Sequence, residues 1–111
     1  MKLVMILNSE FMGRGDDELG QRLMGAMLRK VWSSPAKPQS ILFYNSSVKL
    51  LASGSSVLDA LEGLAAAGVD LVACGTCVGH FQLKDQLATG RVSDMQEIVS
   101  QMMAAEKVIT I

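Results

Sequence analysis

Apolar residues fall into two patterns along this chain: short unbroken runs, and longer stretches in which they recur at intervals of three and four. Residues 3–7 (LVMIL) form an unbroken run that closes at Asn8-Ser9, the pattern of a strand buried on both faces. Over residues 16–31, Leu19, Leu23, Met24, Met27, Leu28 and Val31 keep a helical spacing. Asp16 is placed to cap that helix and Arg29-Lys30 to close its last turn. The segment 33–38, with two prolines, breaks it, and residues 41–44 (ILFY) predict a second strand ending at Asn45.

The second half repeats the alternation. Ser56-x-x-Asp59 has the form of a capping box opening a helix through Ala67, with Gly68 where a left-handed residue is wanted. Residues 69–73 predict a third strand, followed at once by Cys74-Gly75-Thr76-Cys77 and a weaker helical stretch over 80–87. Arg91-Val92 reads as a short edge strand, and Ser93-x-x-Gln96 as the cap of a last helix with Met95, Ile98, Val99, Met102 and Met103 on its apolar face. Residues 108–111 close the chain as a strand. Alternating strands and helices pair in parallel through right-handed crossovers, so the expected fold is α/β, a three-layer α/β/α sandwich on a mostly parallel sheet of about five strands. All 111 residues belong to one domain, with no internal repeat or linker.

Composition narrows the function classes. Half the residues are hydrophobic and 19% are charged, which excludes intrinsic disorder. A formal charge of -1 offers no basic field for nucleic acid, and no apolar run approaches the ~20 residues that span a bilayer. Two cysteines cannot staple a secreted miniprotein, and the first residues lack a signal peptide's pattern; the expectation is a cytoplasmic protein with reduced thiols. The apolar content exceeds what one small two-faced sheet readily covers, so a homo-oligomer is expected, with the Met-rich last helix and Val48-Lys-Leu-Leu-Ala as its surface.

Ligands of an open parallel sheet sit beyond the carboxyl ends of its strands. Three segments should therefore converge on one rim: residues 8–15, 45–49 and 74–80. Cys74-Gly75-Thr76-Cys77 is the strongest signal, because a thiolate is a nucleophile and a second thiol at this spacing can resolve its adduct. The bland alternative is a pair of small buried hydrophobes. A closed metal site needs four ligands, and His80 is the only other soft donor, so no metal is expected.

Gly13-Arg14-Gly15 lacks both the P-loop ending and the dinucleotide fingerprint, and the carboxylates of Asp16, Asp17 and Glu18 disfavour phosphate. The loop itself reads as a tight connection; Arg14 stands out as a side chain able to lower a thiol pKa or hold a sulfur oxyanion. His80 is either a proton shuttle or an ordinary exposed residue, and Asn8 and Asn45 either bond rim backbone or touch substrate. The eight methionines read as core filler.

Four blocks carry a resemblance: Asn8-Ser-Glu-Phe-Met-Gly-Arg-Gly-Asp-Asp-Glu-Leu-Gly, Phe43-Tyr-Asn-Ser-Ser-Val-Lys-Leu, Cys74-Gly-Thr-Cys77 and Val92-Ser-Asp-Met-Gln-Glu-Ile. Together they resemble the DsrE-like domain of the YedF family, described as sulfurtransferase-like selenium metabolism proteins, here without the TusA-like domain with which such proteins usually begin. The resemblance implies the DsrE-type fold and a persulfide on the strand-end cysteine, which falls on Cys74, with Cys77 as the extra thiol of the YedF-type version. The expected function is a sulfur or selenium relay: Cys74 takes sulfane sulfur from a donor protein and yields it to an acceptor, Cys77 resolves the adduct, and Arg14, Asn8, Asn45, Gly75, Thr76 and His80 bind substrate or steady the thiolate. A TusA-like protein is among the candidate partners, and no cofactor is implied. The alternative is a non-catalytic or ligand-binding subunit of a relay assembly with structural or redox-sensing cysteines.

Overall fold

A computed structural model describes residues 2–111. The chain runs β1 (Leu3–Leu7), α1 (Asp17–Ser33), β2 (Ser40–Phe43), a 3-10 helix (Asn45–Leu51), α2 (Leu58–Ala66), β3 (Asp70–Cys74), α3 (Gly75–His80), β4 (Arg91–Ser93), α4 (Met95–Ala104) and β5 (Lys107–Thr110). The five strands form one sheet in the order β4-β3-β2-β1-β5, every neighbouring pair parallel. This is the expected α/β architecture.

Strand alternation divides the core in two. Met5, Leu7, Ile41, Phe43, Leu71 and Ala73 point to one face, where α1, α2 and the 3-10 helix bury them with Met24, Leu28, Val48 and Leu61. Val4, Ile6, Leu42, Val72 and Cys74 point to the other, where Ile98 of α4 is the one fully covered helix residue packed on them. The asymmetry follows from topology. The steps from β1 through β3 advance across the sheet in one direction, so right-handed crossovers put α1 and α2 on the same face; the return from β4 to β5 puts α4 on the other.

Local chemistry explains where the elements begin. Asp16 caps α1 as expected, accepting the Leu19 N–H at 2.7 Å. The buried line of that helix is Gly20, Met24 and Leu28, with Leu19 and Leu23 left exposed. Gly20 sets this choice, because a Cβ there would stand 2.8 Å from the Phe11 Cβ, and only glycine lets the preceding loop press on the helix. Gly63 does the same for the contact between α2 and α1: a side chain there would collide with the Trp32 indole.

Four expectations need correction. Ser56 does not cap α2, which starts after Val57 without a side-chain cap; the Ser56 carbonyl instead accepts from Arg29. Ser93 does not cap α4 either: it lies in β4 and donates its hydroxyl to Glu97, while Asp94 accepts the Glu97 N–H at 2.9 Å. The helix expected over 80–87 lies earlier, at Gly75–His80, followed by turns. The segment Val48-Lys-Leu-Leu-Ala is not an apolar surface, since the 3-10 helix turns Val48, Leu50 and Leu51 into the core and Ala52 is buried behind them. The methionines divide: Met5 and Met24 are core, whereas Met95 and Met103 are exposed. No helix among the described residues is long and apolar enough to cross a membrane.

Candidate functional site

β3 is buried from Leu71 onward, so beyond Asp70 the chain meets solvent again only after Cys74, whose side chain lies on the α4 face and is 2% exposed. Gly75 opens α3 in a tight space: a Cβ there would stand 3.0 Å from the Ser93 carbonyl oxygen and 3.3 Å from Val92 Cγ1. One helical turn on, Cys77 packs against the cores of both faces while remaining partly exposed. The two thiols are free, and the Cys74 thiol is near enough to bear on the ionisation of Cys77.

The loop after β2 completes the setting. Asn45 adopts a left-handed backbone (φ 56°), a conformation that asparagine tolerates better than most residues, and directs its N–H to the Cys77 Sγ at 3.0 Å. Burial pushes the Cys77 thiol above its ordinary pKa, and the adjacent Cys74 thiol adds to the rise, while the Asn45 N–H works against both. Asn45, Thr76, Cys77, His80 and Phe81 line a cavity of about 270 Å³. His80 is exposed and stands edge-on to Phe81, with ring centroids 4.9 Å apart. Lys49 lies over the Phe81 ring at 4.6 Å and pairs with Glu10 at 3.4 Å. Sequence reasoning singled out neither Phe81 nor Lys49; the only available signal was the place of Lys49 in the segment after the second strand.

The expected rim exists, but the residues expected to act together line separate cavities on it. Arg14 and Asn8 line the second, about 550 Å³, with Ser9, Ser46 and Thr110. It opens between the ends of β1 and β5, where the strand order reverses. Asn45 lines both cavities. Cys74, Gly75, Thr76, Cys77, His80 and Asn45 are thus brought together, whereas Arg14 and Asn8 stand on the far side of Asn45. β2 separates the strands that carry them. Among the described residues, no three His, Cys, Asp or Glu side chains gather closely enough to hold a metal ion.

A short helix that opens directly on a Cys-x-x-Cys also occurs in thioredoxin-like reductases, so α3 alone does not decide the family. The family assignment rests on the whole chain, since the family model described as DsrE/DsrF-like matches residues 1–111. The chain belongs to the DsrE/DsrF-like family. Its fold is shared with solved structures of low sequence identity. The ychN protein from E. coli superimposes with a TM-score of 0.71 at 18% identity, covering 99% of this chain and 98% of that one. MTH1491 from Methanobacterium thermoautotrophicum, a protein of unknown function, gives 0.71 at 19% identity over 98% and 97% of the two chains. BT1422 from Bacteroides thetaiotaomicron, also of unknown function, gives 0.70 at 17% identity over 99% and 95%. No curated protein matches the chain. At these identities the likeness establishes the DsrE/DsrF-like fold and leaves the chemistry to the residues of this chain.

Proposed function

We propose that this chain is a sulfur-relay protein that carries sulfane sulfur as a persulfide on its Cys74–Cys77 pair. The observation that carries the reading is the Cys77 Sγ, which lines a cavity, accepts the Asn45 N–H at 3.0 Å and has a second free thiol one helical turn away. Membership in a family linked to sulfur relay supports it. Burial distinguishes the two thiols. Cys77 is the one a donor can reach and Cys74 the one held behind it, so the roles are the reverse of those the family position implies for Cys74.

In the first step the Cys77 thiolate attacks the outer sulfur of a donor persulfide, the donor S–S bond breaks, and the donor leaves as a thiol after taking a proton. An acceptor thiolate then attacks the sulfur held on Cys77 and displaces the Cys77 thiolate, with no net oxidation in either step. In the absence of an acceptor, the Cys74 thiolate attacks the Cys77 sulfur, forming a Cys74–Cys77 disulfide and releasing hydrosulfide; the two thiols are oxidised and the sulfane sulfur reduced. The raised Cys77 pKa fits a thiol that ionises sparingly and is strongly nucleophilic once ionised. A selenium cargo, a YedF-type assignment, a TusA-like partner, a cytoplasmic setting and a homo-oligomer shielding the site belong to the same proposal.

Incubation with a persulfide donor, followed by intact mass and peptide mapping, tests it. One added sulfur atom on Cys77, lost in Cys77→Ser and longer-lived in Cys74→Ser, is the expected result. The same raised pKa also favours a second reading, structural or redox-sensing cysteines in a non-catalytic subunit, and a pair that takes up no sulfur would put that reading in its place.

A further inference from the structure

The Cys77 cavity and the Arg14 cavity differ in chemistry and share one wall. Around Cys77 the lining is Thr76, His80, Phe81 and Asn45, with no carboxylate and no lysine or arginine among the described residues. Across Asn45 the larger cavity is lined by the amide of Asn8, the hydroxyls of Ser9, Ser46 and Thr110, the apolar Phe11 and Ile111, and one cationic side chain, Arg14. No acidic side chain lines it among the described residues. It lies at the reversal of strand order, the place where open parallel sheets hold their ligands. Its volume, about 550 Å³, is in the range of small-molecule sites.

One cationic side chain among hydrogen-bonding groups and two apolar side chains matches a ligand with one carboxylate, several polar atoms and a short carbon frame. Phosphate-rich ligands fit poorly, because Asp16, Asp17 and Glu18 follow directly on the Arg14 loop. Asn45 fixes the geometry between the cavities. Its backbone N–H holds the Cys77 sulfur, so a molecule lying across Asn45 presents one end to the thiol and the other to Arg14.

We propose that the polar cavity binds the carrier portion of a low-molecular-weight, carboxylate-bearing persulfide, of which cysteine persulfide is the simplest, with its sulfane sulfur directed over Asn45 to Cys77. The use of the site rests on the relay reading above; the binding site itself does not. Cys77 takes the outer sulfur, the S–S bond of the donor breaks, and the carrier is left in the polar cavity as a protonated thiol. Arg14 acts as a specificity residue through the carboxylate and has no part in the sulfur chemistry.

Two measurements test this. The first compares loading rates of Cys77 from cysteine persulfide and from ethyl persulfide, which lacks the carboxylate. The intact protein is expected to prefer cysteine persulfide, and Arg14→Ala to lose roughly ten-fold with that donor, the scale of a hydrogen bond to a charged group, while keeping its rate with ethyl persulfide. Arg14→Lys recovers part of the loss. Equal rates from the two donors, or an equal fall with both in Arg14→Ala, overturns the proposal and leaves the relay standing.

The second is independent of sulfur transfer. S-methylcysteine, which cannot react, is titrated into the Cys74→Ser/Cys77→Ser protein and followed by amide NMR shifts. Saturable shifts around Arg14, Asn45 and Ser46, lost in Arg14→Ala, support the site even if the cysteines prove inert. No saturable shift overturns it even if Cys77 accepts sulfur from another donor.

Discussion

The two faces of the sheet are held by different means. One carries α1, α2 and the 3-10 helix over an apolar core that includes Leu7, Phe43, Leu61 and Leu64. The other carries α4 alone, with Ile98 as its buried anchor and a polar clamp beside it. In that clamp Arg91 donates to Asp70 at 2.9 Å and to Glu97, Ser93 and Gln101 also donate to Glu97, and the buried Ser40 donates to Gln101. Stability is thus concentrated on one face, and the other keeps a helix in place with few apolar contacts. The candidate site sits where they meet, since Cys77 packs against both cores.

Truncation on each face tests the contrast most strongly. Phe43 is fully buried between strands and helices, and Phe43→Ala should cost about 3–5 kcal/mol in denaturant unfolding. Ile98 is also fully buried, but beneath a helix with much of its surface exposed, which can settle into the space; Ile98→Ala should cost roughly 2 kcal/mol, the low end for such a truncation. Equal losses would mean that the faces share the stability and that the division drawn here is wrong.

The strands and most of the helices were legible in the sequence, and the exceptions have physical causes. The unbroken runs before Asn8 and Asn45 read as strands because parallel strands covered on both faces leave no polar alternation. α3 was expected too late in the chain because Gly-Thr-Cys-Val-Gly-His contains two glycines and β-branched residues, so tertiary contacts and not propensity hold it. Ser56 and Ser93 matched the capping pattern, but each lies one residue before the position that caps. The residues of the candidate rim were recognisable as chemical types, whereas the division of that rim depends on strand order. Arg14 follows β1 and Cys74 ends β3, and only the placement of β2 between them puts Asn45 at the boundary.

A smaller effect sharpens the contrast through pH. Arg91 first, and Ser93 after it, hold the Glu97 carboxyl down to about 2 from its ordinary 4.5. A depressed carboxylate contributes stability that is complete above the unfolded value and is lost as pH falls through the folded one. The clamp should therefore weaken between about pH 4.5 and pH 2. Glu97 is solvent-accessible and the contribution modest, so the readout is the slope of stability against pH. In Glu97→Gln that slope should flatten, leaving the part due to Asp59, which Arg29 holds low on the opposite face. An unchanged slope would mean that the clamp does not hold α4.

The smallest effect on the stability of the protomer is expected at the outer surface of α4, and there the measurement is mass. Met103 is 82% exposed, and Met95 and Val99, also exposed, precede it at intervals of four along α4, so the three form one stripe on its outer surface. A thinly covered face with exposed large apolar groups is what a second copy of the chain would cover. Light scattering at micromolar concentration should give a multiple of the 11.9 kDa chain mass. Val99→Glu/Met103→Glu should return the mass to that of one chain while changing the intrinsic stability of the protomer by no more than about 0.5 kcal/mol. Leu19→Glu places the same charge on an exposed leucine of α1, on the well-covered face, and should leave the mass unaltered. A wild-type mass of 11.9 kDa would refute the assembly and leave the α4 face to some other partner; loss of assembly in Leu19→Glu would move the interface to the face described here as complete.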